Sequence, residues 1–263
     1  MTLEWSSYLG SLFFALVRVS GMVVFAPFFS SSALPARTKA VFAGAVAFLL
    51  APVIATLPQR HAGLNCFALL GEVAVGMVYG LTLALLNEMM TFAGQVLGIQ
   101  FSFSMVNLLD PTSSIQTSLM SDLLQIIGTL VVLAAGLDRI LLASMMRSFR
   151  VVPPGTFSMS TVTAMAVVRA AGGIFLAAVE LAAPVLAATM LIEVAVALLS
   201  KLSPQLPVTA LSVPLKTLTG FAVLIASCAV WPRFIEGHFS VLLDLAERLI
   251  SAAPAGAGGR WGA

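Results

Sequence analysis

The sequence predicts an all-α, polytopic integral membrane protein of about six hydrophobic helices. Two observations carry the membrane assignment. Hydrophobic residues make up 60% of the chain and charged residues 9%, with a mean hydropathy of +1.06. Soluble domains carry roughly 25% charged residues, so this chain has too little polar surface to be covered in water. The apolar residues also fall in runs near the ~20 residues that a spanning helix needs. Short breaks rich in Pro, Ser and Arg separate them. A net charge of +2 with scattered Lys and Arg leaves no basic stripe for nucleic acid.

The first run extends from about Trp5 to Phe29 and contains Arg18. Its start, MTLEWSSYLG, has no Lys or Arg and includes Glu4, unlike the basic start of a secretory leader, so it is expected to be retained structure. Ser30-Ser31-Ser32 and Pro35 form a turn ahead of Arg37 and Lys39. The second run, about Ala40 to Leu57, ends in Pro58-Gln59-Arg60-His61. The third begins near Phe67 and is expected to continue as helix toward Gly98, beyond one bilayer thickness. The fourth, Leu119 to Leu137, is followed by an expected connector holding Asp138, Arg139, Arg147, Arg150 and Pro153-Pro154-Gly155. Thr161 to Leu199 is a long apolar stretch with Pro184 as an expected kink. A polar break, Ser200 to Pro207, leads to a last run from about Leu211 to Val230, closed by Trp231-Pro232. One domain is expected over residues 1–251, with a flexible Gly/Ala-rich tail over 252–263. Counting Lys and Arg in alternate connections favours both ends inside, because Arg60, Arg139, Arg147, Arg150, Arg233 and Arg248 then share one side.

Charge within the apolar runs is the feature needing explanation. Arg18, Glu72, Glu88, Asp122, Arg169, Glu180, Glu193 and Lys216 lie within or beside them. Each charge at a spanning-helix centre costs about 2.5–3.5 kcal/mol on insertion scales. Three explanations compete: the groups line a transport path, they pair with each other or with partner subunits, or some segments lie outside the bilayer core. Small residues point to close helix contact. Gly76 and Gly80, Gly94 and Gly98, Ala178 and Ala182, and Ala183 and Ala187 are each spaced small-xxx-small.

Gly94 to Asp122 is the longest break in the oily pattern. Ile99, Phe101, Phe103, Met105, Val106, Leu108 and Leu109 alternate with Ser102, Ser104 and Asn107 before Asp110-Pro111. Proline stops a helix there, and five Ser/Thr residues follow from Thr112 to Ser118. Non-helical backbone between apolar segments is tolerated where it lines a cavity or is covered by protein. The stretch is either an ordinary connector or a loop that sits in, or closes, a passage.

Catalytic patterns do not emerge. No HExxH, GxSxG or P-loop occurs. Cys66 and Cys228 stand far apart, and unpaired, packed thiols are expected rather than a metal site or disulfide. His61 and His238 lie near segment ends, a poor basis for a proton relay. No enzyme, metal or cofactor is expected.

Four pieces, in order over about Trp5 to Ile250, carry a resemblance to a known family. They are Arg18 with Ala26-Pro27 and Pro35-x-Arg37-x-Lys39; Gly76-x3-Gly80 with AGQVLGIQ (Ala93–Gln100) and Asp110-Pro111; Phe149 with Pro153; and LLSKLSPQLPVTALSVPLK, with Pro204-Gln205 and Pro214-Leu215. The chain resembles FliR, the membrane component of the flagellar type III protein export gate, related to the T-type component of virulence type III secretion. Leu206-Pro207-Val208-Thr209 departs from the family by an extra proline, and Ala135-Gly136-Leu137-Asp138-Arg139 departs from its usual small turn. The Gly-containing, Phe-poor stretch after Pro204-Gln205 favours the flagellar branch.

The resemblance implies a non-enzymatic subunit of an inner-membrane export gate in the flagellar basal body. A single FliR-like copy would join several FliP-like and FliQ-like subunits, with an FlhB-like subunit on the cytoplasmic side and unfolded proteins as cargo. Bent hairpins lifted partly out of the bilayer would bury the charges against partners. It implies that Met105, Val106, Asn107, Leu108, Leu109, Asp110 and Pro111 plug the closed pore. Arg18, Pro27, Pro35, Glu72, Gly76, Gly80, Gly94, Gly98, Glu180, Glu193, Pro204, Gln205, Pro214 and Lys216 would serve helix packing and subunit contacts. Alternatives are a secondary transporter with a midplane site built from the intramembrane charges, the equivalent virulence subunit, or a scaffold without a passage.

Overall fold

A computed structural model of the chain describes residues 5–26, 35–56, 65–101, 119–157, 161–202 and 208–251. Among these the regular structure is entirely helical: α1 (Trp5–Phe25), α2 (Ala36–Ala55), α3 (Cys66–Gln100), α4 (Leu119–Ala134), α5 (Leu137–Val151), α6 (Thr161–Leu202), α7 (Val208–Ser227) and α8 (Trp231–Ser251). Four helices, α1, α2, α3 and α6, are long and apolar enough to cross a membrane; counting the bent pairs α4–α5 and α7–α8 as one span each gives six. The all-α polytopic class read from composition is the observed one. The 35 residues of α3 and the 42 of α6, at a rise of ~1.5 Å each, make helices roughly 52 and 63 Å long, well beyond a hydrocarbon core of about 30 Å. α6 continues through Pro184, where the missing N–H leaves the Glu180 carbonyl without its helical donor.

Two expectations are corrected. The segment after Leu137, expected as a connector, is the helix α5. Trp231-Pro232, expected to close the last segment, instead opens α8; proline is tolerated in a first turn, where its missing N–H has no helical partner. Both helices are amphipathic. α5 buries Leu137, Leu141, Ser144, Met145, Ser148 and Phe149, while Arg139, Arg147 and Arg150 are exposed. Such charges interrupt an apolar run without interrupting a helix. The break between α4 and α5 falls at Gly136, whose φ of 67° is in the left-handed region that favours glycine.

The chain forms two compact units. The first gathers α1, α2, α3 up to Leu85, α5, α6 up to Ala171 and α8 from Phe239. Its α1–α2 seam is built on Ala15, Ala47 and Ile54, closed by Phe149 of α5, with Leu12 and Leu50 packed against them. Pro35, in extended conformation, starts α2. Its buried residues Ala43, Ala47, Ala51 and Ile54 repeat every three or four positions and form one narrow face. α1 and α3 cross on glycine. A Cβ on Gly21 would stand 2.8 Å from the Val73 carbonyl oxygen, and one on Gly80 would stand 2.6 Å from that of Met22. One on Gly76 would strike the Arg18 carbonyl.

The second unit gathers α3 from Leu86, α4, α6 from Gly172, α7 and α8 up to His238. α6 buries Ile174, Ala177, Ala178, Leu181, Ala182, Val185 and Thr189 here, the three-and-four spacing of a single helix face. Phe92 meets Phe175 edge to face at 4.9 Å. Gly94 lies against the Ser121 backbone, with no room for a side chain between α3 and α4.

Candidate functional site

In the first unit, polar side chains converge on Arg18. Its Nε donates to Glu72 Oε2 at 2.6 Å and Nη2 to Glu72 Oε1 at 3.0 Å, a bidentate pair with both side chains fully buried. Nη1 donates to Ser148 Oγ at 2.9 Å, and Nη2 also reaches the Val152 carbonyl at 3.3 Å. The guanidinium lies 3.8 Å from the centroid of the Phe149 ring, a cation–π contact strengthened by desolvation. Glu72 Oε1 accepts a further bond from the Gly155 N–H at 2.8 Å. Gly155 sits at φ 77° in the turn after α5, which aims its N–H at the carboxylate. Four parts of the chain therefore close on one ion pair: α1, α3, α5 and the turn at 152–155.

A second polar chain runs beside it. The Tyr79 hydroxyl donates to the Ser144 carbonyl at 3.3 Å, and Ser144 Oγ donates to the Glu247 carboxylate of α8. The small hydroxyls Ser144 and Ser148 are buried, one helical turn apart, and each links α5 to a different neighbour.

In the second unit, Glu193 of α6 binds Lys216 of α7, and Gln100 Nε2 donates to Glu193 Oε1 at 3.4 Å. Next to Gln100, the Phe101 ring stacks on Phe221 at 5.2 Å and fills the notch left by Gly220. On α4, Ser121 donates to the Thr91 carbonyl at 3.0 Å and Gln125 Nε2 to Thr91 Oγ1 at 2.6 Å. These contacts fix the residues on either side of 102–118 within one unit.

Of the residues singled out in the sequence, the structure joins Arg18 to Glu72 and Glu193 to Lys216. Gly76 and Gly80 face α1, Gly94 faces α4, and Gly98 is buried. Pro35 and Pro214 are exposed, as is Glu180. Met105, Val106, Asn107, Leu108, Leu109, Asp110, Pro111, Pro27, Pro204 and Gln205 lie outside the described residues. Ala178 and Ala182 are buried, whereas Ala183 and Ala187 are exposed. Cys66 and Cys228 are free thiols as expected, but Cys66 is exposed at the start of α3 rather than packed. Sequence reasoning missed Ser144, Ser148, Gly155, Tyr79 and Glu247, because a serine or glycine in a membrane helix looks like any small residue until its partner is placed. Among the described residues, no group of three or more His, Cys, Asp or Glu side chains could hold a metal.

The class this defines is a helical membrane protein whose described polar groups join helices to one another. Residues 9–242 match the family described as bacterial export proteins, family 1. The chain belongs to that family, within its FliR branch of flagellar export components. It is 25% identical to the flagellar biosynthetic protein FliR of Escherichia coli (strain K12) over 255 residues, covering 95% of this chain and 97% of that protein. It is 27% identical to FliR of Caulobacter vibrioides over 243 residues, covering 90% and 95%. With FliR of Bacillus subtilis (strain 168) the identity is 24% over 242 residues, covering 89% and 92%.

Proposed function

We propose that the chain is a non-enzymatic subunit of the inner-membrane export gate of the flagellar basal body, forming part of the channel through which unfolded flagellar proteins leave the cell. The observation that carries this reading is the family match over residues 9–242, nearly the whole helical body. FliP-like and FliQ-like subunits complete the channel, and an FlhB-like subunit covers its cytoplasmic side. Exposed charges support a multi-subunit setting: Glu88, Arg169 and Glu180 are exposed on long apolar helices and have no ion-pair partner among the described residues. Lipid would leave each such charge costly, at about 2.5–3.5 kcal/mol, whereas a neighbouring subunit can neutralise it.

In this reading Met105 to Pro111 plugs the closed pore. Support comes from its apolar composition and from the Phe101–Phe221 and Ser121–Thr91 contacts that hold the flanking helices. Deleting Asn107 to Ser114 is expected to leave the complex assembled and to raise its ion conductance in planar bilayers. Conductance equal to the unmodified complex would sink the plug.

A further inference from the structure

The first unit contains a cavity of about 380 Å³ between α5 and α8, lined by Arg147, Ser144, Asp244, Glu247 and Arg248, with Tyr79 of α3 also on its wall. That volume lies within the ~300–1,000 Å³ range of small-molecule sites. Its charges are disposed in an unusual way. Asp244 and Arg248 stand one helical turn apart, a spacing at which opposite charges readily pair, yet no ion pair joins Arg147, Asp244, Glu247 or Arg248 to any described residue. Among the described residues Glu247 is bonded by the Ser144 hydroxyl alone. Two guanidinium groups and two carboxylates thus border one cavity without neutralising one another.

We infer that this cavity binds the headgroup of phosphatidylethanolamine, a ligand that carries both signs. The phosphate accepts from the Arg147 and Arg248 guanidinium groups, whose planar forks suit phosphate oxygens. The primary ammonium donates to the carboxylates of Asp244 and Glu247. A purely anionic headgroup leaves both carboxylates facing a like charge. Choline cannot replace ethanolamine, because its quaternary nitrogen has no N–H to donate. The membrane is the source favoured by the surroundings. α5 and α8 each have one apolar and one charged face, the pattern of helices that lie at a lipid interface. Tyr79 belongs to a helix that meets the spanning criterion, and exposed Val151 on the cavity rim offers an acyl chain an apolar step.

The test is native mass spectrometry of the full-length, delipidated protein in detergent. It is titrated separately with phosphatidylethanolamine, phosphatidylglycerol and phosphatidylcholine of identical acyl chains. One ethanolamine lipid should bind at least tenfold more tightly than either other lipid. Arg147→Ala with Arg248→Ala should weaken binding of the ethanolamine lipid at least tenfold, and Asp244→Asn should narrow its lead over phosphatidylglycerol; all three positions are exposed, and circular dichroism checks that helicity is kept. Equal binding of the three lipids, or an affinity for the ethanolamine lipid that the double arginine variant leaves unchanged, would overturn the site. Competition by free phosphoethanolamine at concentrations comparable to the lipid would assign the cavity to a soluble compound and overturn the lipid reading. A protein neighbour crosslinking to Ser251→Cys across the cavity mouth, undisturbed by added lipid, would do the same.

Discussion

Arg18 is fully buried, and its guanidinium meets a carboxylate, a serine hydroxyl, a backbone carbonyl and an aromatic face. Removing one partner of such a pair strands the other charge, at a cost of about 3–5 kcal/mol, whereas an apolar replacement of both can be nearly neutral. Arg18→Ala and Glu72→Gln should each lower the thermal midpoint of the detergent-solubilised protein sharply. Arg18→Met combined with Glu72→Leu should recover most of the loss, falling short by about 1–3 kcal/mol for the Gly155 N–H left without an acceptor. A double variant as unstable as the sum of the singles would mean the two side chains are not coupled. At this scale the sequence was half legible. An arginine and a glutamate inside apolar runs announce themselves by their cost. Their pairing does not, because 54 positions separate them, and Ser148, Phe149, Val152 and Gly155 each lie more than 80 positions from the group they contact.

At the scale of helices, contact distance is set by glycine. Gly76 and Gly80 bring α3 onto α1, and Gly94 brings it onto α4, each with backbone or a neighbouring Cβ where a side chain would have to stand. Overpacking such a site costs typically 1–3 kcal/mol or more, since backbone cannot move aside as a flexible side chain can. Gly94→Leu should therefore destabilise the protein by at least that much in thermal unfolding. Gly172→Ala, in α6 with nothing within 4 Å of an added Cβ, should be harmless. Equal melting of both variants and the parent would contradict close α3–α4 packing. The small-xxx-small spacings were readable because they follow from helical geometry alone. α5 and α8 escaped the same reading for a physical reason: a search for unbroken apolar runs finds helices wrapped in lipid or protein on all sides. These two present charged residues on one face, and their stabilisation comes from what the other face buries.

For the whole molecule, composition alone decided the class, because 9% charged residues cannot solvate 263 residues. The number of spans was legible to the same degree. Four helices qualify by themselves and two more spans arise only from bent pairs, since length and hydropathy measure what a helix can cross and not where it lies. The family was legible through short motifs in a fixed order, and the family match over residues 9–242 agrees with them. As proposed, this chain works as one subunit of a larger export gate. The most direct test is the native mass of the detergent-extracted protein, first expressed alone and then together with FliP-like and FliQ-like subunits. One large species of fixed composition that contains a single copy of this chain is the expected result. A stable monomer or dimer that ignores those subunits would contradict it, and would turn attention to a carrier dependent on Glu72 or Glu193.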